Sequence, residues 1–198
     1  PEPTPTDVIT EEEFKTALSL KSITVLKFVN SSSFKTDDPY FTYSQTIEDI
    51  KDFNVNYYHR AMHDVESNEN TDDHFYTKED GTYYLYKKEE VFGKYDKSES
   101  DSSQLLTPEQ FARKEREYYL TSLKYEDFDF SLDKGRCIAI SNKKMPIYTP
   151  VMLDSFDMEK VTLTFDENKR LIQLDSEGDF DGYGIPLLLG NRCSFSYD

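Results

Sequence analysis

Three histidines, two cysteines and a few spaced acids are the residues whose types could do chemistry in this 198-residue chain. His59 and His63 stand four apart beside Asp64, a spacing that puts both on one face of a strand or helix. Zinc needs three or four ligands, and His74 is the one histidine left, so these read as polar surface residues rather than a metal site. Glu177, Asp179 and Asp181 alternate before Gly182 like the first half of a calcium loop. The bidentate glutamate of such a loop would fall on Leu188, so the pattern fails. Asp179 and Asp181 remain as the metal candidates, set against a solvated acidic turn.

Cys137 and Cys193 can form one disulfide in an exported protein or stay as small buried thiols, and the sequence leaves both open. There is no nucleophile elbow and no Gly-rich phosphate loop. Asp127 and Asp129 could pair as acid and base, but among 39 acidic residues such pairs arise by chance. The chain therefore reads as a non-enzyme without a cofactor.

The surplus lies in rings: Tyr 15 and Phe 14, with no Trp. Tyr57-Tyr58, Tyr83-Tyr84-Leu85-Tyr86 and Tyr118-Tyr119 offer more ring surface than one sheet face needs. Ordinary packing, with each hydroxyl left in water, is the plainer account. The sharper one is a concave face on which Tyr57, Phe75, Tyr84, Tyr86, Phe111, Tyr118 and Tyr119 hold a hydrophobic small molecule, a lipid or a lipidated partner. A third has exposed tyrosines contacting another protein, since tyrosine is enriched at interfaces.

These rings need elements to position them. In HFYTKEDGTYYLYKK (74–88), Asp80-Gly81 suits a tight type I′ turn. That turn pairs Lys78 with Tyr83, Thr77 with Tyr84, Tyr76 with Leu85 and Phe75 with Tyr86. Thr10-Glu11-Glu12-Glu13 is a capping box opening a helix to Leu20. A second box at Thr107–Gln110, with Leu106 and Phe111 as the staple, predicts a central helix over Pro108–Lys124. Strands are expected at 22–29, 40–44, 53–59, 91–95 and 191–197, with 47–51 undecided. Asn30–Pro39, Glu66–Asp73 and Lys97–Gln104 read as turn, loop and linker. Phe128–Leu132 should pair with Gly135–Ile140 through Asp133-Lys134. Val161–Asp175 should form a hairpin about Glu167-Asn168, opposing Val161 to Leu174, Leu163 to Ile172 and Phe165 to Arg170.

Adjacent hairpins and few helices imply an α+β fold with an antiparallel sheet. Residues 1–9, opening PEPTPT, read as a flexible spacer, and 10–198 as a single domain. The layout of TEEEFKTALS, FYTKEDGTYYLYKK and VTLTFDENKRLIQL resembles small exported bacterial lipoproteins related to the lipoprotein-carrier (LolA-like) fold. The resemblance implies a half-barrel of curved antiparallel sheet, with the N-terminal and central helices packed on its concave face. It also implies an extracellular or cell-envelope location, with any membrane contact made through a tether outside this sequence. A formal charge of −16 repels phosphate backbones and anionic headgroups, which excludes nucleic acid and basic-patch membrane binding.

Overall fold

A computed structural model of the chain describes residues 8–19, 25–35, 43–52, 57–65, 69–88, 94–100, 120, 122–149, 154–182 and 185–197. Its one described α-helix is α1 (Glu11–Ser19), and the capping box forms as expected. The Thr10 amide donates to Glu13 Oε2 at 2.7 Å, and the Glu13 amide donates to Thr10 Oγ1 at 3.3 Å. The Thr10 amide and the Thr10 hydroxyl, which donates to the same Oε2 at 2.8 Å, hold the Glu13 carboxyl below its ordinary pKa.

The strands run β1 (Val25–Lys35), β2 (Tyr43–Asp52), β3 (Tyr57–Asp64), β4 (Glu69–Glu79), β5 (Thr82–Lys88) and β6 (Tyr95–Glu99). After them come β7 (Phe128–Asp133), β8 (Arg136–Ser141), β9 (Met145–Thr149), β10 (Asp154–Met158), β11 (Lys160–Phe165), β12 (Leu171–Gly182) and β13 (Ile185–Ser196). Eleven make one antiparallel sheet, ordered β6-β5-β4-β3-β2-β1-β13-β12-β11-β8-β7, while β9 and β10 form a separate ribbon. With β6 and β7 at its ends the sheet is open, not a closed barrel.

Among the described residues, the fully packed core occupies only part of this sheet. Every buried apolar residue described lies before β1, at Leu120 and Leu123, or from β7 onward. Phe14 of α1 is its hub, with ring centroids 5.7 Å from Phe128, 5.9 Å from Phe165 and 6.0 Å from Phe130. Ile9, the last residue of the segment read as a spacer, is fully buried, and its carbonyl accepts from Tyr125 Oη at 3.0 Å.

The β4–β5 hairpin has the expected register, turning at Asp80 and Gly81 with φ 48° and 87°. Other expectations are corrected. Asn30–Lys35 continues β1, paired with β13 throughout and with β2 as far as Phe34, so its polar composition does not interrupt the ladder. Glu69–Asp73 belongs to β4 and Lys97–Glu99 to β6, while 47–51 is strand. The β7–β8 turn is Lys134-Gly135, because Gly135 supplies the positive φ, 80°, at its second position.

The β11–β12 hairpin pairs Leu163 with Leu174 and Val161 with Ser176. Asp166 takes the amides of Asn168 and Arg170 at 2.9 and 2.8 Å, which lengthens the loop to 166–170 and displaces the expected register by two residues. The shift keeps Val161 and Leu163 inside and buries Leu171 in place of Ile172.

The central helix lies largely outside the described residues. Of its expected end, Leu120 and Ser122 stand in a turn and Lys124 is extended, with φ −112° and ψ 140°.

Cys137 and Cys193 are buried free thiols. The row Ala139–Leu163–Leu174–Cys193 crosses four strands, three steps of about 4.8 Å, so the bridge considered for them is out of reach.

The β9–β10 ribbon crosses the sheet at Gly178. A Cβ there would lie 3.1 Å from Met158 Cα and 3.2 Å from both Asp157 O and Glu159 N. All three are backbone atoms and cannot step aside. Gly178→Ala should therefore cost about 1–3 kcal/mol, read as a lower urea midpoint at unchanged m-value. An unchanged midpoint would mean the ribbon does not rest there.

Candidate functional site

Register carried across the sheet decides which rings share a face. Phe195, in the core, pairs with Phe28; the row continues through Asp49, Arg60 and His74 to Lys87. One residue out of step runs the row Ser196, Lys27, Ile50, His59, Phe75, Tyr86 and Lys97. Successive side chains alternate between faces, so Phe75 and Tyr86 stand on the face away from the core and α1. Tyr84, two residues from Tyr86, joins them. The helix expected to lie over these three lies largely outside the described residues, and relative to α1 they stand on the opposite face.

The structure does bring them together. Phe75 stacks on Tyr86 with centroids 4.5 Å apart and planes at 9°, and Tyr95 meets Phe75 at 5.1 Å and 62°. Lys97 Nζ sits 3.8 Å from the centroid of Tyr84 and 5.3 Å from that of Tyr86, a cation held over two ring faces. Tyr57 opens β3 opposite Asp52, and its side chain is outside the described residues, as are Phe111, Tyr118 and Tyr119 entirely.

Two carboxylates tie this belt to the edge strand. Asp73 Oδ1 lies 2.9 Å from His59 Nε2 and accepts from Tyr95 Oη at 2.9 Å; Oδ2 accepts from Lys88 Nζ at 3.3 Å. Glu79 accepts from Tyr86 Oη at 2.6 Å and from Lys97 Nζ at 2.5 Å. Burial pushes the Asp73 carboxyl up, but the bonds from His59, Tyr95 and Lys88 outweigh it and leave it below the ordinary range. Glu79 is lowered by Lys97 and then Tyr86, and Lys97 is raised in turn. Sequence reasoning missed Asp73 and Lys97 because both fall in polar stretches. The alternation of Tyr95, Lys97 and Glu99 was the available signal for β6.

On the core-side face of the same strands stand Met62, Tyr76, Tyr83 and Leu85, all half-buried. Lys78 Nζ lies 5.0 Å from the Tyr83 ring centroid. Asp179 and Asp181 belong to β12, paired with Leu188 and Pro186, so neither sits in a calcium loop or an acidic turn. Asp179 is exposed, and no group of three or more His, Cys, Asp or Glu is placed to hold a metal among the described residues.

No family model matches the chain, and no curated protein does. Among solved structures, the Mycobacterium tuberculosis lipoprotein LppX is 11% identical, with 93% of this chain and 92% of that one covered and a TM-score of 0.45. A DUF1329 family protein from Desulfovibrio piger is 9% identical, covering 97% and 94%, with a TM-score of 0.29. A LolA superfamily protein from Nitrosomonas europaea is 8% identical, covering 96% and 92%, with a TM-score of 0.27. The layout resemblance noted in the sequence is thus met by a lipoprotein and a LolA-superfamily protein among these neighbours. At these TM-scores the likeness bears on neither ligand nor activity.

Asp73 and Glu79 have folded pKa values below their unfolded ones, near 3.9 and 4.3. Their contribution is therefore complete above about pH 4.5 and is lost as pH falls through the lower folded values. The Tyr95 ring resonances should move toward free-tyrosine positions as pH falls below about 4, before those of Phe14 change. Simultaneous loss of both would mean that the belt does not control the edge separately.

Proposed function

We infer that the chain is a non-enzymatic binding protein that holds a lipid-like or other apolar ligand, or a lipidated partner, on the core-side face of β3–β5. The observation carrying this reading is the uneven burial of one continuous face. From β13 through β7 that face is sealed by α1 and the β9–β10 ribbon, with Phe165, Leu163 and Leu174 fully buried. Across β3–β5 the same face presents Met62, Tyr76, Tyr83 and Leu85, which are only half-buried, flanked by His74 and the exposed Lys78 and Lys87.

Full burial of such a side chain is worth about 1.5–3 kcal/mol, and these already hold most of it. Covering the exposed remainder adds roughly a third of that or less each, so several must act together to hold an alkyl chain. Curving of the open sheet into a half-barrel would give that chain a trough. An exported, envelope-associated protein tethered outside this sequence fits a cargo of this kind.

Contact with another protein is favoured by one observation of its own: β6 is exposed along its length at the sheet edge, with Tyr95 40% exposed. Its Asp96, Lys97 and Glu99 are the charges with which edge strands resist unwanted pairing. That weighs toward the ligand reading.

Native mass spectrometry of the purified chain, followed by displacement of a fluorescent fatty acid, tests the proposal. Tyr83→Ser and Leu85→Glu should weaken uptake about tenfold or more, a loss of at least ~1.4 kcal/mol of binding. Tyr84→Ser, on the opposite face, should leave uptake unchanged while lowering the melting temperature through loss of its contact with Lys97. Failure of any lipid or fatty acid to bind would sink the reading, as would the reverse ranking of the variants.

A further inference from the structure

On the face away from α1, strands β1, β13, β12 and β11 bound a depression of about 580 Å³. Its floor consists of short side chains, Ser31, Ser33 and Thr162, together with Gly190, which has none. Gly190 pairs with Ser33, and a Cβ at 190 would come within 3.3 Å of Ser33 Oγ, so glycine keeps the floor low. Two cross-strand rows shape the walls. One is Ser31–Arg192–Asp175–Thr162 and the next is Ser33–Gly190–Glu177–Lys160, which places Arg192 on β13 in one row and Lys160 on β11 in the other, two strands apart.

Asp175 is already satisfied at both oxygens, by Arg192 Nε at 2.5 Å and Gln173 Nε2 at 2.5 Å. Arg192 uses Nε for that bond, so Asp175 does not engage the terminal nitrogens of its guanidinium. Lys160 Nζ is 3.9 Å from Glu177, within ion-pair range but too far for a hydrogen bond. The side chains of Arg192, Lys160 and Glu177 are all more than half exposed. Two cationic donors, one carboxylate acceptor and three hydroxyls therefore border one open recess.

We propose that this recess is a second binding site, for a small polyhydroxylated molecule bearing one oxyanion: a sugar carrying a carboxylate or a phosphate. The guanidinium fork of Arg192 takes the oxyanion through parallel hydrogen bonds, and Lys160 adds charge without geometry. Glu177 accepts from the ligand's hydroxyls, and the hydroxyl floor serves the rest. The volume lies within the range of small-molecule sites, roughly 300–1,000 Å³, and no ring among its lining residues offers an apolar wall. The site is on the other side of the sheet from the core-side face of β3–β5 and stands independently of it.

Titration of the ¹⁵N-labelled chain with glucuronate and with glucose 6-phosphate, followed by NMR, tests it; glucose and acetate serve as half-ligands. At least one of the two acids should give saturable shifts at Ser33, Gly190 and Arg192 Nε, about tenfold tighter than either half-ligand. Arg192→Gln should remove about tenfold of that affinity with only a small fall in melting temperature, since its pair with Asp175 is largely exposed. Which acid binds more tightly, and whether Lys160→Gln penalises the phosphate more, identifies the oxyanion. Shifts that never saturate, glucose binding as tightly as the acids, or affinity unchanged in Arg192→Gln would each overturn the proposal.

Discussion

Ala139, Leu163, Leu174 and Cys193 stand side by side on four neighbouring strands, and each is fully buried. That row fixes which way every other side chain of the sheet turns. In a sheet the period is two, so one inward row commits its neighbours outward, and strand pairing transmits the commitment laterally. The transmission runs from β8 through β13 and β1 to β6. It explains why Phe75 and Tyr86, distant from the core, are nonetheless assigned to the far face by it. A slip of one residue anywhere along this path would exchange the two faces of everything beyond it. The paired rows, more than any single contact, make the molecule one object.

α1 secures the sealed half by setting Phe14 among four other rings, at centroid distances of 5.7 to 6.0 Å. Tilted and edge-on ring contacts at such spacing add to what area burial alone provides. The other half is stabilised differently. Its described contacts on the far face are a ring stack, a cation over two tyrosines and two carboxylates with several donors each. Such groups tolerate water, and that suits strands whose other face is left for something else.

Local signals in the sequence were read well wherever one residue had a mechanical reason to be there. Thr10 and Glu13 formed their cap, and Asp80-Gly81 turned with the backbone that dipeptide favours. The β4–β5 register followed from that turn alone. Polar strands were harder. Ser31, Ser33 and the acids of β4 resemble loop residues, and only pairing on both sides makes them strand. The β11–β12 loop was misjudged because Asp166 binds its own backbone, an option that counting residues cannot see. Face assignment of the rings was out of reach for a deeper reason. Alternation tells which residues stand together, but not which side the core lies on; that depends on pairing with β13, far along the chain.

The separation of the two thiols carries one last consequence. Each sulfur is enclosed in the core, with the Cys193 sulfur accepting from Asn191 Nδ2 at 3.6 Å, and the spacing of the strands keeps the pair apart. No oxidant is required to complete this fold, and no reductant can undo it by cutting a cross-link. Strand pairing and side-chain packing alone hold these strands in place, with both thiols shielded inside.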